Sequence, residues 1–267
     1  MKFRIASDLH LELNSSKEYP FNLPKLEDEK NTVLILAGDI CVVNDLTLAI
    51  PFFNNVCKRF KHVLYVFGNH EFYRSRMNEA YGKFNNVIGK FHDNLTVSAN
   101  EPKVLQIDEY KFILATLWTA WDHPPEVLHI SNEFSMDYCR KSMGDFFLIK
   151  DENNRLFTPQ KSKDIHKGHI EFIRENLERK DYEKSVVISH HCPSLKSIAP
   201  RFYRDPLNPA FSSNLSAFIK EYKPNLWVHG HTHHSFMYMD HETQIICNPK
   251  GYGTENQNFS PCFTIEI

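Results

Sequence analysis

The chain has 267 residues, 42% hydrophobic and 24% charged, with a formal net charge of -2. That composition suits a folded globular chain and speaks against long-range attraction to nucleic acid or to an anionic membrane surface. No apolar run approaches the roughly 20 residues that span a bilayer, the early charges of MKFRIASDLH do not read as a signal peptide, and six isolated cysteines without a C-x-x-C pair point to reduced thiols in a cytoplasm.

Residues 2–7 predict a short strand ending at Asp8-Leu9-His10. Residues 32–37 (TVLILA) are apolar throughout, which predicts a strand covered on both faces and ending at Gly38-Asp39. Residues 45–60 have helical periodicity, with Pro51 limiting the start or kinking the helix. Residues 63–67 form the next predicted strand, which runs into Gly68-Asn69-His70-Glu71, and 75–91 a second helix. This alternation is the pattern of a layered α/β domain. Residues 104–107 and 111–117 predict a hairpin. Residues 118–160 are less regular and read as an excursion from the core of one domain spanning 1–267. Residues 161–180 predict a helix with Ile165, Ile170, Ile173 and Leu177 along one side. A strand at 185–189 ends at His190-His191, a helix follows at 213–222, and a strand at 225–228 ends at His229-Gly230-His231-Thr232-His233-His234. Segments 235–240, 244–247 and 263–267 close the fold as strands.

Five predicted strands therefore end in residues that bind metals: Asp8/His10, Asp39, Asn69/His70, His190/His191 and His231/His233. Loops converge beyond the carboxyl ends of strands in an open α/β sheet, so the five endings predict one site. Carboxylate and amide oxygens suit Mn²⁺ or Mg²⁺, while imidazoles suit Zn²⁺, Fe and Ni. The i, i+2 spacing of Asp8/His10 and of His231/His233 lets two side chains leave the same side of an extended segment. Two cations roughly 3.5–4 Å apart can clamp both the entering and the leaving oxygen of an in-line displacement.

The ordered series D-x-H (8–10), G-D (38–39), G-N-H-E (68–71), H (190) and G-H-x-H (230–233) resembles the calcineurin-like metallophosphoesterase superfamily. The resemblance covers most of the chain. It extends to small bacterial or phage phosphohydrolases with LWT after a hairpin and HCPS or HAPS after the histidine strand. It implies a four-layer α/β sandwich, two mixed β-sheets flanked by helices. It also implies two divalent metal ions, Mn²⁺ first, with Fe, Zn, Ni or Mg as alternatives. Asp8, His10, Asp39 and His233 would hold one ion; Asp39, Asn69, His190 and His231 would hold the other, with Asp39 bridging. A metal-bridging hydroxide would attack phosphorus, and His70 would protonate the leaving oxygen. The implied activity is hydrolysis of a small phosphoester, a nucleotide among the options, with a phosphodiesterase favoured. A phosphomonoesterase of the same fold and a non-catalytic metal-binding scaffold for protein partners are the alternatives. The arginine that the family's protein phosphatases carry shortly after the second motif is absent from Gly38-Asp39-Ile40-Cys41-Val42-Val43-Asn44. The chain also lacks the spare length and basicity expected for long nucleic acid.

Some assignments stay open at this level. His191 competes with His190 as a ligand. Glu71 reads as a residue that orients His70 or the loop, and 251–252 as a closing loop near the site. Arg201 and Arg204 are candidates for gripping a substrate phosphate, or belong to a solvated turn. Trp118, Trp121 and His123 either wall a pocket or pack in the core, and residues 118–160 could form a lid.

Overall fold

A computed structural model of the chain describes residues 1–13, 21–179 and 181–267. Its strands, in chain order, are β1 (Lys2–Ala6), β2 (Thr32–Ala37), β3 (His62–Val66), β4 (Leu95–Ser98), β5 (Lys103–Ile107), β6 (Tyr110–Ala115), β7 (Lys184–Ser189), β8 (Leu226–His229), β9 (Phe236–Asp240), β10 (Thr243–Cys247) and β11 (Thr264–Glu266). The helices are α1 (Ala49–Arg59), α2 (Met77–Val87), α3 (Pro125–Leu128), α4 (Asn132–Ser142), α5 (Asp145–Leu148), α6 (Pro159–Glu178), α7 (Asn208–Phe211) and α8 (Ser216–Tyr222).

One sheet has the order β11-β1-β2-β3-β4, the other β5-β6-β7-β8-β10-β9. Both are mixed. β1 to β4 run parallel with β11 antiparallel at one edge, and β6, β7, β8 and β10 run parallel between antiparallel β5 and β9. The alternation of side chains along each strand explains the layering. In β2, Leu34 and Leu36 join Phe52, Phe53, Val56 and Phe84 from α1 and α2. Val33, Ile35 and Ala37 point the other way, into an intersheet core with Val186 and Ile188 of β7. Val187 faces a third cluster with Ile173 and Leu177 of α6 and Ile219 of α8. The fold is thus the expected α/β sandwich of two mixed sheets flanked by helices, and every residue of TVLILA is buried because both its faces are covered.

The differences from the sequence reading are local. Pro51 stands in the first turn of α1, where its missing N–H costs no intrahelical bond, so the helix begins at Ala49. α6 begins earlier than expected: the Thr158 hydroxyl accepts from the Lys161 amide at 3.1 Å, and Pro159 occupies the first helical position. The helix expected over 75–91 closes at Val87 and is followed by a 3₁₀ turn, Gly89–Phe91. β4 was not anticipated, since LTVS is too short to show a period. Residues 118–160 hold α3, α4 and α5, and Trp118, Trp121, Phe146, Ile149 and Phe157 pack into the same core as α1 and α2.

Because β1, β2 and β3 run parallel in one sheet and β7 and β8 in the other, their carboxyl ends lie together at one edge of the sandwich. A bond across the sheets seals that edge: His190, after β7, donates from Nδ1 to the carbonyl of Ala37, the last residue of β2, at 2.9 Å.

Candidate metal centre

The segments that follow these strands turn sharply. Asp8, His10, Asp39, His231 and His233 all have positive φ, 51°, 45°, 54°, 71° and 47°. Non-glycine residues seldom adopt that conformation, and when they do it clusters at functional sites. Gly38 (φ 88°) and Gly68 make room for the crowding: a Cβ at Gly38 would lie 2.2 Å from His190 Nδ1, and one at Gly68 2.2 Å from Asp39 Oδ1. Neither position can carry a side chain while His190 and Asp39 keep their places.

Three groups of ligand atoms form among the described residues; one, His10, Glu12 and His70, lies to the side, and two contain the strand-end residues. Those of Asp8, His10 and His233 lie within 4.8 Å of one another, as do those of Asp39, His190 and His231. Asp39 lies between the groups, with Oδ1 3.4 Å from His190 Nε2 and Oδ2 4.0 Å from His10 Nε2. Asn69 Oδ1 is 3.0 Å from His190 Nε2, and His231 Nδ1 is 3.1 Å from the same nitrogen. His10 Nε2 faces His233 Nε2 at 3.1 Å. The Asp8 carboxylate is fixed by the His231 amide at 3.0 and 3.1 Å and by the Ser7 hydroxyl at 2.5 Å.

What surrounds the site decides which atoms point inward. His10 Nδ1 is 3.3 Å from Glu12 Oε1, His233 Nδ1 is 2.7 Å from Glu255 Oε2, and His190 Nδ1 bonds the Ala37 carbonyl. Each of these acceptors holds a ring N–H, leaving the Nε2 lone pairs to converge. The Asn69 amide is oriented likewise: Nδ2 donates to Asp145 Oδ1 at 2.8 Å, so Oδ1 faces His190. Ring nitrogens, carboxylates and an amide oxygen thus face one another at near contact distance, an arrangement that a divalent cation would satisfy. The donor set fits borderline cations such as Mn²⁺, Fe²⁺ or Zn²⁺, and the outer acceptors are those expected around metal-bound histidines.

Electrostatics agree with this reading. Burial works against the charged form of Asp39, but the histidines at 190 and 70 hold its carboxyl well below the usual range. Burial also opposes a charged His190, yet Asp39 and Asp8 raise its pKa to about 10, the sign of a field that favours positive charge at this place. Burial and its histidine neighbours push His231 well down, which keeps that ring neutral.

His70 stands beside the two groups. Its Nε2 is 4.0 Å from Asp39 Oδ2 and 3.0 Å from the Tyr252 hydroxyl, its Nδ1 is 3.5 Å from Glu12 Oε1, and its ring stacks on Tyr73 with centroids 4.1 Å apart. Burial lowers its pKa, and Asp39 and Glu12 more than reverse that, to about 9. Glu71 is buried and acts as a knot between strand ends. It accepts from the amides of Asp39 (3.1 Å), Ile40 (2.7 Å), Cys41 (3.3 Å) and Gly68 (2.7 Å) and from the Tyr65 hydroxyl (2.5 Å).

The profile of the calcineurin-like phosphoesterase family matches residues 1–235. The chain belongs to that family. This phosphoesterase is 29% identical, over 99% of its own length and 96% of the other, to a protein called uncharacterized L509 of Acanthamoeba polyphaga mimivirus. Its fold is similar to that of a phosphopantetheinyl hydrolase from Mycobacterium tuberculosis, with TM-score 0.71, 16% identity, and 95% and 90% of the two chains covered. A Thermus thermophilus protein, TT1561, is similar in fold at TM-score 0.53 and 11% identity, over 93% and 88% of the two chains.

The open assignments of the phosphoesterase fall out of the same geometry. His190 rather than His191 faces the centre. His191 turns Nδ1 to the Thr116 carbonyl at 3.1 Å, and burial with the neighbouring His190 lowers its pKa to about 3. His229 is a buried structural histidine bonded to Ser197 Oγ at 2.8 Å. Trp118 packs against Phe157 and His191, and His123 bonds Ser212. Arg201 and Arg204 are not brought to the centre. Both are exposed and lie over the rings of Phe202 and Tyr203, because their short turn presents polar heads to solvent. Asp145, Glu12 and Glu255 join the site beyond the residues read from the sequence, and Tyr252 of the closing loop reaches His70 Nε2 at 3.0 Å. The acidic i+2 neighbour of His10 was a usable signal for Glu12; Asp145 and Glu255 had none.

Beside the metal groups lies a cavity of about 270 Å³, bounded by Asp39, Asn69, His70, His231 and His233 at one end. Residues 143–145 line it, so the excursion after the second sheet begins contributes a wall. Among the described residues, no helix is long and apolar enough to cross a membrane.

Proposed function

We propose that this chain hydrolyses small phosphoesters at a two-cation centre, with diesters preferred. The observation that carries the reading is the placement of Asp39 between two sets of converging lone pairs. Asp8, His10, Asp39 and His233 would hold one ion, and Asp39, Asn69, His190 and His231 the other. When bound, the cations supply Lewis acidity, lowering the pKa of a water toward about 7 and drawing charge from the phosphoryl oxygens.

The chain's own residues do the rest. The Glu12 carboxylate, 3.5 Å from His70 Nδ1, and the stacked Tyr73 ring hold the imidazole with Nε2 toward the cavity. From that place His70 donates its proton to the leaving oxygen. The Tyr252 hydroxyl, 3.0 Å from Nε2, is displaced or shares the proton as substrate enters. The cavity extends past the cluster, leaving room for a second esterifying group, which is what supports a diester over a monoester.

We place the enzyme in the cytoplasm, as one domain over 1–267, because its six cysteines are all free and five of them are buried. A small substrate suits the cavity; among the described residues its lining contains no lysine or arginine to track a nucleic-acid backbone. The test is turnover of bis-p-nitrophenyl phosphate and p-nitrophenyl phosphate with Mn²⁺. Diester hydrolysis that exceeds monoester hydrolysis and disappears in Asp39→Asn is expected. No turnover of either ester with Mn, Fe, Zn, Ni or Mg would leave a metal-binding scaffold.

A further inference from the structure

The cavity has two unlike halves. One is the polar cluster described above. The other is a wall built by Met143 after α4, Ile198, Ala199 and Phe202 of the loop that follows β7, and Leu207 and Phe211 beside and within α7. The halves are continuous, since Phe211 stacks on His231 with centroids 4.4 Å apart and an interplanar angle of 26°. A substrate whose phosphoryl group sits at the histidines therefore meets aromatic and aliphatic surface immediately beyond it.

The charge of the lining is as informative as its apolarity. Among the described residues it includes no lysine or arginine, while Asp205 and Glu255 add carboxylates to Asp39 and Asp145. Glu255 is held by His233 and by the Tyr252 amide, and Asp205 caps the turn before α7 through the Leu207 amide. Both are thus fixed beside the cavity. A substrate with a second phosphate or a carboxylate on its arm would meet these anions and find no fixed cation to pair with.

We propose that this site selects phosphoesters whose esterifying arm is uncharged and apolar, an aryl or branched alkyl group, and excludes arms that carry further anionic groups. The inference rests on the phosphoesterase reading for the position of the phosphoryl group and goes beyond it in naming the arm. Nucleoside di- and triphosphates are excluded as substrates by the same reasoning.

The test is calorimetric binding of phenylphosphonate, 4-carboxyphenylphosphonate and methylphosphonate to the Mn²⁺-loaded protein. Phenylphosphonate is expected to bind at least about tenfold more tightly than its carboxyl derivative and than methylphosphonate. Leu207→Ala should weaken phenylphosphonate several-fold and leave methylphosphonate unchanged, which separates loss of the wall from damage to the metal ligands because Leu207 lines the cavity away from them. Phe202→Lys is the second variant. Phe202 is 38% exposed at the rim, so the change is tolerated by the fold, and it should abolish the discrimination against the carboxyl group. Equal or tighter binding of 4-carboxyphenylphosphonate by the unaltered protein would overturn the proposal, as would failure of phenylphosphonate to bind. Hydrolysis of any simple phosphoester would then still uphold the reaction. Discrimination without turnover of any ester would uphold the selectivity and overturn the reaction.

Discussion

Asp145 Oδ1 accepts the side-chain amide of Asn69 at 2.8 Å and the Tyr73 hydroxyl at 2.7 Å, and so turns the Asn69 carbonyl oxygen toward His190. An asparagine amide has two nearly isosteric orientations, of which only one presents an acceptor to a cation. Asp145→Ala is expected to lower metal affinity by about 10–100-fold, with Asp145→Asn recovering part of it through its own carbonyl. Manganese titration of the two variants, read by calorimetry, checks this. Unchanged affinity in Asp145→Ala would show that Asn69 needs no such partner.

Asp39 lies between the two groups, 3.4 Å from His190 Nε2 and 4.0 Å from His10 Nε2, and would bridge the two ions of the proposed centre. Asp39→Asn preserves its shape and removes its charge, so the protein should stay folded while losing both ions. Metal content measured on the purified variant is expected to fall from two ions per chain toward none, with activity down on the order of a thousandfold or more. Retention of one ion at full occupancy would argue against a shared carboxylate.

His70→Ala should depend on the leaving group. With a poor leaving group such as methoxide, loss of a proton donor is expected to cost about 10²–10⁴-fold in kcat. With p-nitrophenolate, which needs no proton to depart, the loss should be far smaller. A series of aryl and alkyl esters compared in both proteins reads the difference directly; a uniform loss across the series would remove His70 from the role of acid.

Glu71 satisfies four backbone amides and one phenol from a fully buried position. Glu71→Ala would strand those donors without water, each at about 1–3 kcal/mol. The variant should lose about 3 kcal/mol or more of stability, read as a shift in the urea midpoint with little change in slope. A loss of activity with unchanged stability would instead assign Glu71 to the chemistry.

His169 makes the stability of this fold pH-dependent. Burial lowers its pKa to about 4, despite the bond it donates to the Asn100 carbonyl at 3.2 Å, while Nδ1 accepts from the Leu117 amide at 3.1 Å. Between that value and the ordinary value near 6.5, the unfolded chain takes up a proton the folded one refuses. The contribution of His169 is therefore complete above about pH 6.5 and is lost as pH falls toward 4, by roughly 3 kcal/mol in all. Urea unfolding across that range, on the unaltered protein and on His169→Gln, should show a shallower acid slope in the variant. Parallel curves would mean that His169 is protonated in the folded state.

Much of the site could be read along the chain because its signals are local. A strand shows itself as an apolar run, a turn as a glycine, and a ligand as a carboxylate or imidazole placed just after both, as in TVLILAGD. The order of five such endings, with the parallel strands they imply, led to the layered fold and to the residues that converge. Arg201 and Arg204 show where the same reasoning leaves two outcomes open. A guanidinium near a histidine loop suggests phosphate binding, yet which way a surface turn faces is set by what packs beneath it, and these two side chains lie over Phe202 and Tyr203.

The sequence by itself determined the candidate ligands, their attachment to strand ends and the family, because residue type and periodicity are properties of neighbours along the chain. Only the tertiary structure decided that Asp145 would orient Asn69 from 76 positions away, that Glu255 would hold His233, and that Phe211 would lie flat on His231. Those contacts depend on how loops close and which faces the core leaves open. No repeat or spacing in the sequence encodes that, since such partners become neighbours only when the two sheets are packed.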